Sequence, residues 1–165
     1  MTVSSTLSHS PAEILQQLMV DEGIVVEPLL NDETTSWQAY VSSEPSMPDN
    51  CVTVQDTVGT QDGRTVDGRV PAGEINEHPG WQIRVRAVSH RVGFLKLSQI
   101  RKELMEQVYD AFVQLQDDLL VNHVYSVQAI TRIGSIVMLG TDAPDTKRSL
   151  FTLSGTMAVT EVTNP

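Results

Sequence analysis

The side chains in this 165-residue chain that could do chemistry are four histidines, one cysteine, an acid-rich stretch from Asp62 to His78 and a pair of arginines. His9, His78, His90 and His123 share no i, i+4 spacing and no His-Glu-x-x-His arrangement, the pattern that turns two imidazoles toward one zinc ion. Asp62-Gly63 and Asp67-Gly68, with Glu74, Glu77 and His78 beyond them, are where a cation could be argued. A calcium loop wants carboxylates at alternate positions, then Gly and a closing Glu, and Asp62 to Gly73 lacks that register. Asp-Gly is also the dipeptide of tight hairpin turns, which accounts for both pairs without an ion. His78 stands just before Pro79-Gly80, where an extended residue is expected. Gly59-Thr60-Gln61-Asp62-Gly63-Arg64 lacks the Lys-Ser/Thr of a phosphate-cradling loop, and there is no Gly-x-Ser-x-Gly elbow. Cys51, the sole cysteine, excludes an internal disulfide and a cysteine-based zinc cluster, and reads as a small buried hydrophobe. The expectation is a chain with no catalytic residue, no metal and no cofactor.

Arg84 and Arg86 lie two apart in Trp81-Gln82-Ile83-Arg84-Val85-Arg86-Ala87, so both project from one strand face, beside Gln82. One reading has them solvated or salt-bridged within the chain. The other has this face meeting an acidic neighbouring subunit through bidentate Arg–carboxylate bonds, with Gln82, Arg84 and Arg86 as interface residues. Positive charge is scarce: 11 Lys and Arg stand against 21 Asp and Glu, a formal charge of −10. A protein that grips nucleic acid needs cations to displace counterions from phosphate, and no basic stripe is present. Tight DNA or RNA binding is not expected. Like-charge repulsion would instead let a duplex pass without sticking.

The elements that would carry these residues can be read from periodicity and punctuation. Ser10-Pro11-Ala12-Glu13 is a helix start, and Ile14, Leu15, Leu18 and Met19 form its apolar stripe before Gly23 ends it. Ile24 to Leu29, broken by Pro28, reads as an edge strand or extended connection, and Trp37 to Ser42 as a strand. Pro45 to Asn50 is a turn, followed by a strand at Cys51 to Asp56. Trp81 to Ala87 alternates without a fault. Leu97, Ile100, Leu104, Val108, Ala111 and Leu115 predict one amphipathic helix fading by Asp117. Tyr125, Val127, Ala129 and Ile133 mark one face of a strand, which resumes at Ile136 to Leu139 before a turn at Gly140 to Asp145. Arg148 to Val162 is the last strand, with Phe151, Leu153, Met157 and Val159 inward and Gly155 at a bulge or close approach.

Helix, strands, long helix and more strands predict an α+β fold, a largely antiparallel or mixed sheet with two main helices packed on one face and a long protruding loop. Length predicts one domain at residues 10–162, with an N-terminal arm at 1–9, a loop at 57–80 and a short tail at 163–165. Residues 1–10 hold no basic residue and read as neither signal nor transit peptide. The longest apolar runs fall well short of the roughly 20 residues that span a bilayer.

The ordered set of segments resembles a known family. Trp37 to Val41 leads into the Pro45 to Pro48 turn, then Cys51 to Gly59, Trp81 to Arg86, the helix after it, Ile136 to Asp142 and Arg148 to Phe151. In that order they resemble the tail-terminator and minor capsid (neck) proteins of long-tailed bacteriophages, from about Ser10 to Val159. The resemblance implies a structural virion protein and not an enzyme: a ring of six copies that caps the head-proximal end of the tail tube, stops its polymerisation and joins tail to head connector. It implies as partners the tail tube protein and the head connector or stopper, with genomic DNA passing the lumen without specific binding and no membrane. The location would be the virion, after the host cytoplasm during assembly. The Val58 to Gly80 loop, with Asp62, Arg64, Asp67 and Arg69, would contact the tube or an adjacent ring. A head-completion or connector protein is the neighbouring alternative. A small ligand-binding or enzymatic α+β domain using residues 57–80 as a lid is the alternative from another class.

Overall fold

Ser10 opens the first helix through a reciprocal pair of bonds. Its hydroxyl accepts the Glu13 amide at 3.3 Å, and the Glu13 carboxylate accepts the Ser10 amide at 2.7 Å. Helix α1 (Pro11–Asp21) buries Ala12, Ile14, Leu15, Leu18 and Met19. It ends where Gly23 takes φ +69, with the Gly23 amide bonded to the Val20 carbonyl and the Ile24 amide to that of Met19.

A computed structural model describes residues 7–28, 36–61, 77–106, 109–142 and 148–162. After α1 come β1 (Gln38–Val41), β2 (Cys51–Gln61), β3 (Glu77–Ala87), α2 (His90–Glu106), β4 (Tyr109–Gln116), β5 (Asn122–Ile133), β6 (Val137–Asp142) and β7 (Arg148–Val162). The strands form one seven-stranded sheet in the order β1-β2-β3-β7-β5-β4, with β6 also paired to β7. The β1–β2 pair is parallel and the rest are antiparallel, so the sheet is mixed. Both helices pack into one core with Val52, Val54, Trp81, Ile83, Val85, Phe151 and Leu153. This is the α+β architecture that the order of elements predicts. The sheet curls far enough that α1 touches β1, β2 and β3 near one end and β4 at the other.

Three local expectations change, besides the turn read at Gly140 to Asp145, whose first three residues belong to β6 and pair with Leu150, Ser149 and Arg148. The predicted long helix is α2 followed by a strand: α2 stops at Glu106, and Asp110 has φ +52, outside helical space. Ala111, Val113 and Leu115 fit a period of two, and all three pack on the core while Phe112 and Gln114 face out. Steps of four alone could not distinguish the two periods. In β5, register shifts between Val127 and Ala129 and between Ile130 and Arg132 replace simple alternation. They bring Ile130 onto the core in place of Ala129, while Ile133 packs there as expected.

The third change shortens the predicted 57–80 loop at both ends, because β2 continues to Gln61 and β3 begins at Glu77. Pro79 fits into this ribbon opposite the bulge at Val58-Gly59, where no ladder bond is required of it. A Cβ on Gly59 would lie 2.4 Å from the His78 carbonyl oxygen, and one on Gly80 would lie 2.5 Å from that of Val58. Only glycines let the two backbones run this close. Residues 62–76 lie outside the described ones.

β7 is the hub. Its residues 149–156 pair with β3 on one edge, while β6 and then β5 follow along the other. At Gly155 it faces Trp81 and Ile133 at once, and a Cβ there would sit 2.3 Å from both the Trp81 ring and the Arg132 carbonyl oxygen. Replacing Gly155 by Ala must displace a buried indole or a strand. The expected loss is about 1–3 kcal/mol, as for other overpacked cores. Urea unfolding measures it, and an unchanged midpoint would contradict the packing described.

Candidate functional site

Parallel neighbours cannot be joined by a tight turn, so the chain must travel back from the end of β1 to the start of β2. Residues 42–50 make that return across the sheet face opposite the helices, and three arginines hold them there. Arg86 Nη1 donates to Glu44 Oε1 at 3.0 Å and its Nη2 to the Pro48 carbonyl at 2.8 Å. Arg84 Nη1 reaches the other Glu44 oxygen at 3.4 Å. Arg148 Nη1 donates to the Ser46 carbonyl at 2.9 Å, with its Nε 3.3 Å from Asp49. Asn50 closes the return by accepting the Val88 amide at 3.0 Å. The Pro45 to Asn50 turn read from sequence is therefore part of a pinned crossover.

Gln82, Arg84 and Arg86 do share one face, as their spacing predicts, and Gln82 Nε2 donates to Ser154 Oγ at 3.3 Å. The intrachain partner is Glu44. Arg86 is only 4% exposed and is enclosed within the chain, whereas the Arg84 side chain keeps 33% of its surface. Asp62, Arg64, Asp67 and Arg69 lie outside the described residues. Cys51 is buried in β2, as expected.

A second cluster forms at the other end of the molecule, where β5, β7, the β4–β5 turn and the residues before α1 meet. His123 and Tyr125 are two apart on β5, and Glu161 on β7 is the register partner of Tyr125. His123 Nδ1 lies 2.7 Å from Glu161 and its Nε2 3.3 Å from Asp117. Ser8 donates from both its amide and its hydroxyl to Glu161 at 3.0 Å. His9 Nδ1 is 2.6 Å from the Tyr125 hydroxyl, and its ring stands edge-on to that of His123 at 5.4 Å. Asp117 also accepts the amides of Leu119 and Val121 at 2.9 and 2.8 Å, which fixes the turn.

The electrostatics follow from these contacts. Hydrogen bonds to Glu161 and then Asp117 raise the His123 pKa above its ordinary value. Asp117 is held below the usual carboxylate range, first by the Val121 amide. Partial burial pushes Glu161 up, but the bonds from His123 and Ser8 outweigh it and leave the carboxyl lowered. With both ring nitrogens engaged, His123 has no lone pair for general base work, and the Ser8 hydroxyl faces a carboxylate rather than an imidazole. The pairing needed to activate a nucleophile is missing here. Among the described residues no group of three or more His, Cys, Asp or Glu is placed to hold a metal ion. What the cluster does is tie Ser8 and the β4–β5 turn to the end of β7. A cleft of about 410 Å³ beside it, lined by Glu13, Gln16, Val41, Leu115 and Asp118, follows the seam where α1 bridges the two ends of the sheet.

Sequence reasoning missed this cluster because it tested the histidines for helical spacing. The signal was there at a period of two: His123 and Tyr125 share a strand face, and pairing the last strand beside them brings Glu161 across. Lys96 was likewise assigned to no role. It is buried on α2, donates to the Ile24 carbonyl and lies 5.7 Å from the centre of the Trp37 ring, with burial lowering its pKa.

Two outcomes are expected. Arg86→Ala should destabilise the chain by about 3 kcal/mol, since it removes the buried bonds to Glu44 and the Pro48 carbonyl and leaves Glu44 only the longer contact with Arg84, and Arg84→Ala by no more than about 1 kcal/mol. Equal losses in urea unfolding would contradict the division of roles. For the cluster, the raised His123 pKa stabilises the fold fully below about 6.5, and this is lost as pH rises through the folded value. The lowered Asp117 and Glu161 contribute above about pH 4 and are lost as acid protonates them. Melting temperature should therefore be highest in mild acid, and His123→Gln should flatten the fall toward alkaline pH. An NMR titration placing His123 at or below its ordinary value would contradict this. No protein-family model and no curated protein matches the sequence, so the function has to be argued from these sites.

Proposed function

We propose that this chain is a structural component of the neck of a long-tailed phage: a tail terminator that caps the head-proximal end of the tail tube as a ring, stops tube polymerisation and joins the tail to the head connector. The ring would hold six copies, the number the resemblance implies. The observation that carries the reading is the β2–β3 ribbon. β1 pairs with β2 only as far as Val54, and β7 pairs with β3 only from Gly80 onward. The rest of both strands, Gln55–Gln61 and Glu77–Pro79, stands out as a two-stranded base, with Val58 95% exposed. Residues 62–76, which follow β2 and precede β3 in sequence, would supply the contact arm, with Asp62, Arg64, Asp67 and Arg69 meeting the tube or an adjacent ring. A curled sheet gives the rigid wall, and the ribbon gives the reach.

The chemistry supports a structural role. The chief convergence of titratable groups among the described residues is consumed internally, by His123 between two carboxylates. The acidic balance suits a channel through which DNA slides without being gripped. On the arginine face, Gln82 and Arg84 would be the residues to meet a neighbouring subunit, because Arg86 is enclosed.

Replacing residues 62–72 by a short Gly-Ser bridge tests the reading. The altered chain should keep its melting temperature within a few degrees, since the described core lies elsewhere. Particles assembled with it should show tails of irregular length or heads without tails. Uniform tails joined normally to heads would contradict the assignment.

A further inference from the structure

The turn between β4 and β5 breaks two rules at once. Leu120 takes φ +62, a left-handed conformation that glycine or asparagine adopts far more readily than a residue with a branched side chain. The turn is of the type that places such a residue last, with the Leu120 amide bonded to the Asp117 carbonyl and the Asp117 amide to that of Val121. Leu119 and Leu120 are also 82% and 74% exposed, Val121 is half exposed, and Phe112 shows 67% of its surface on the outward face of the same hairpin. Folding gains nothing from leucines placed in this way. Backbone strain kept together with exposed apolar surface points to a contact with another molecule.

A complementary surface lies at the opposite end of the β5–β6–β7 ribbon. Phe151 is buried on β7, and two partly exposed side chains border it. Met138 is its register partner on β6, and the Phe94 ring on α2 is 6.4 Å from its own. Leu139 follows in the β6 bulge, half exposed, and the outer edge of β6 has no strand beside it among the described residues. The charges are opposite in sign. Asp118 is exposed at the tip, Asp117 being held by His123, whereas Arg91 is exposed on α2 one turn before Phe94. Phe151 and Val162, which marks the tip end of β7, are eleven residues apart, roughly 35 Å at about 3.3 Å per residue. A chain therefore cannot satisfy its own patch.

We infer that the Asp118–Val121 tip of one copy docks on the Phe94–Met138 patch of a second copy. The occupant is a second copy because this one chain carries both an exposed apolar tip and an exposed apolar patch, with charges of opposite sign beside them. In a molecule of net charge −10, copies would otherwise repel. The two surfaces differ, so the contact is head-to-tail and propagates until it closes into a ring. This deepens the ring reading and relies on it for closure alone.

The test mixes two crippled chains. Leu119→Asp with Leu120→Gly removes the tip, and Met138→Asp removes the patch; Phe94→Ser replaces the latter if that chain does not fold. Wild type should associate with rising concentration in sedimentation velocity, and each variant alone should do so at least ten-fold more weakly. Mixed in equal amounts, they should form a species of twice the monomer mass and nothing larger. Leu120→Gly alone should melt no lower than wild type yet associate more weakly, which a purely structural leucine would not do. Monomeric wild type at every concentration, unaltered association in the variants, or no dimer on mixing would each overturn the inference. Normal tail joining by both variants would overturn these surfaces and leave the neck reading intact. The mixed dimer from a chain absent from virions would support the surfaces and overturn the neck reading.

Discussion

Gly155 lacks a side chain, and Trp81 occupies the space one would need. The rest of the fold depends on that fit, because β7 there passes from pairing with β3 to pairing with β5 alone. A fully buried indole brings on the order of 150–250 Å² of surface into the core, and it can do so in a central strand only where the neighbouring backbone lets it through. Beyond this point β3 continues outward with β2 as the free ribbon, and β7 continues with β5 toward the His123 cluster. One small residue thus divides the sheet into a wall and an arm.

The wall is secured on both faces by different means. Toward the helices it is apolar packing, with Gly93 admitting the Phe151 ring so that α2 can approach closely. On the opposite face it is charge, with Arg84, Arg86 and Arg148 gripping the 42–50 crossover. The crossover makes the parallel β1–β2 pair possible, and that pair sets the end of the sheet against which α1 rests. At the far end the His123 cluster performs a similar duty for the residues before α1. Charged groups here fasten segments that have too little apolar surface to hold themselves.

Much of this was legible in sequence. The capping box at Ser10, the αL glycine at Gly23, the faultless alternation of β3 and the inward set of β7 each depend on neighbours a few residues away, and local pattern carries such information. What was not legible depends on contacts between distant segments. Steps of four fitted α2 and β4 equally well until the sheet supplied a partner for Val113. The bulges in β5 are set by pairing with β7, and no spacing within β5 announces them. Arg84 and Arg86 were visible as a pair, but Glu44 is some 40 residues away and enters only when the crossover is laid over the strand. The His123 cluster needs three strands' worth of register before its members meet. The strained, exposed Leu120 could not be suspected at all, since leucine in a turn says nothing of its φ.

The central proposal, that this molecule is a ring-forming piece of a phage neck, is tested most directly by imaging. Electron cryo-microscopy of intact particles, with the chain fitted into the neck density, should place one ring of it at the head-proximal end of the tube. The ribbon bearing residues 62–76 should then point at the tube or at an adjacent ring. A neck whose density is filled by other chains, with this one absent from the particle, would contradict the account.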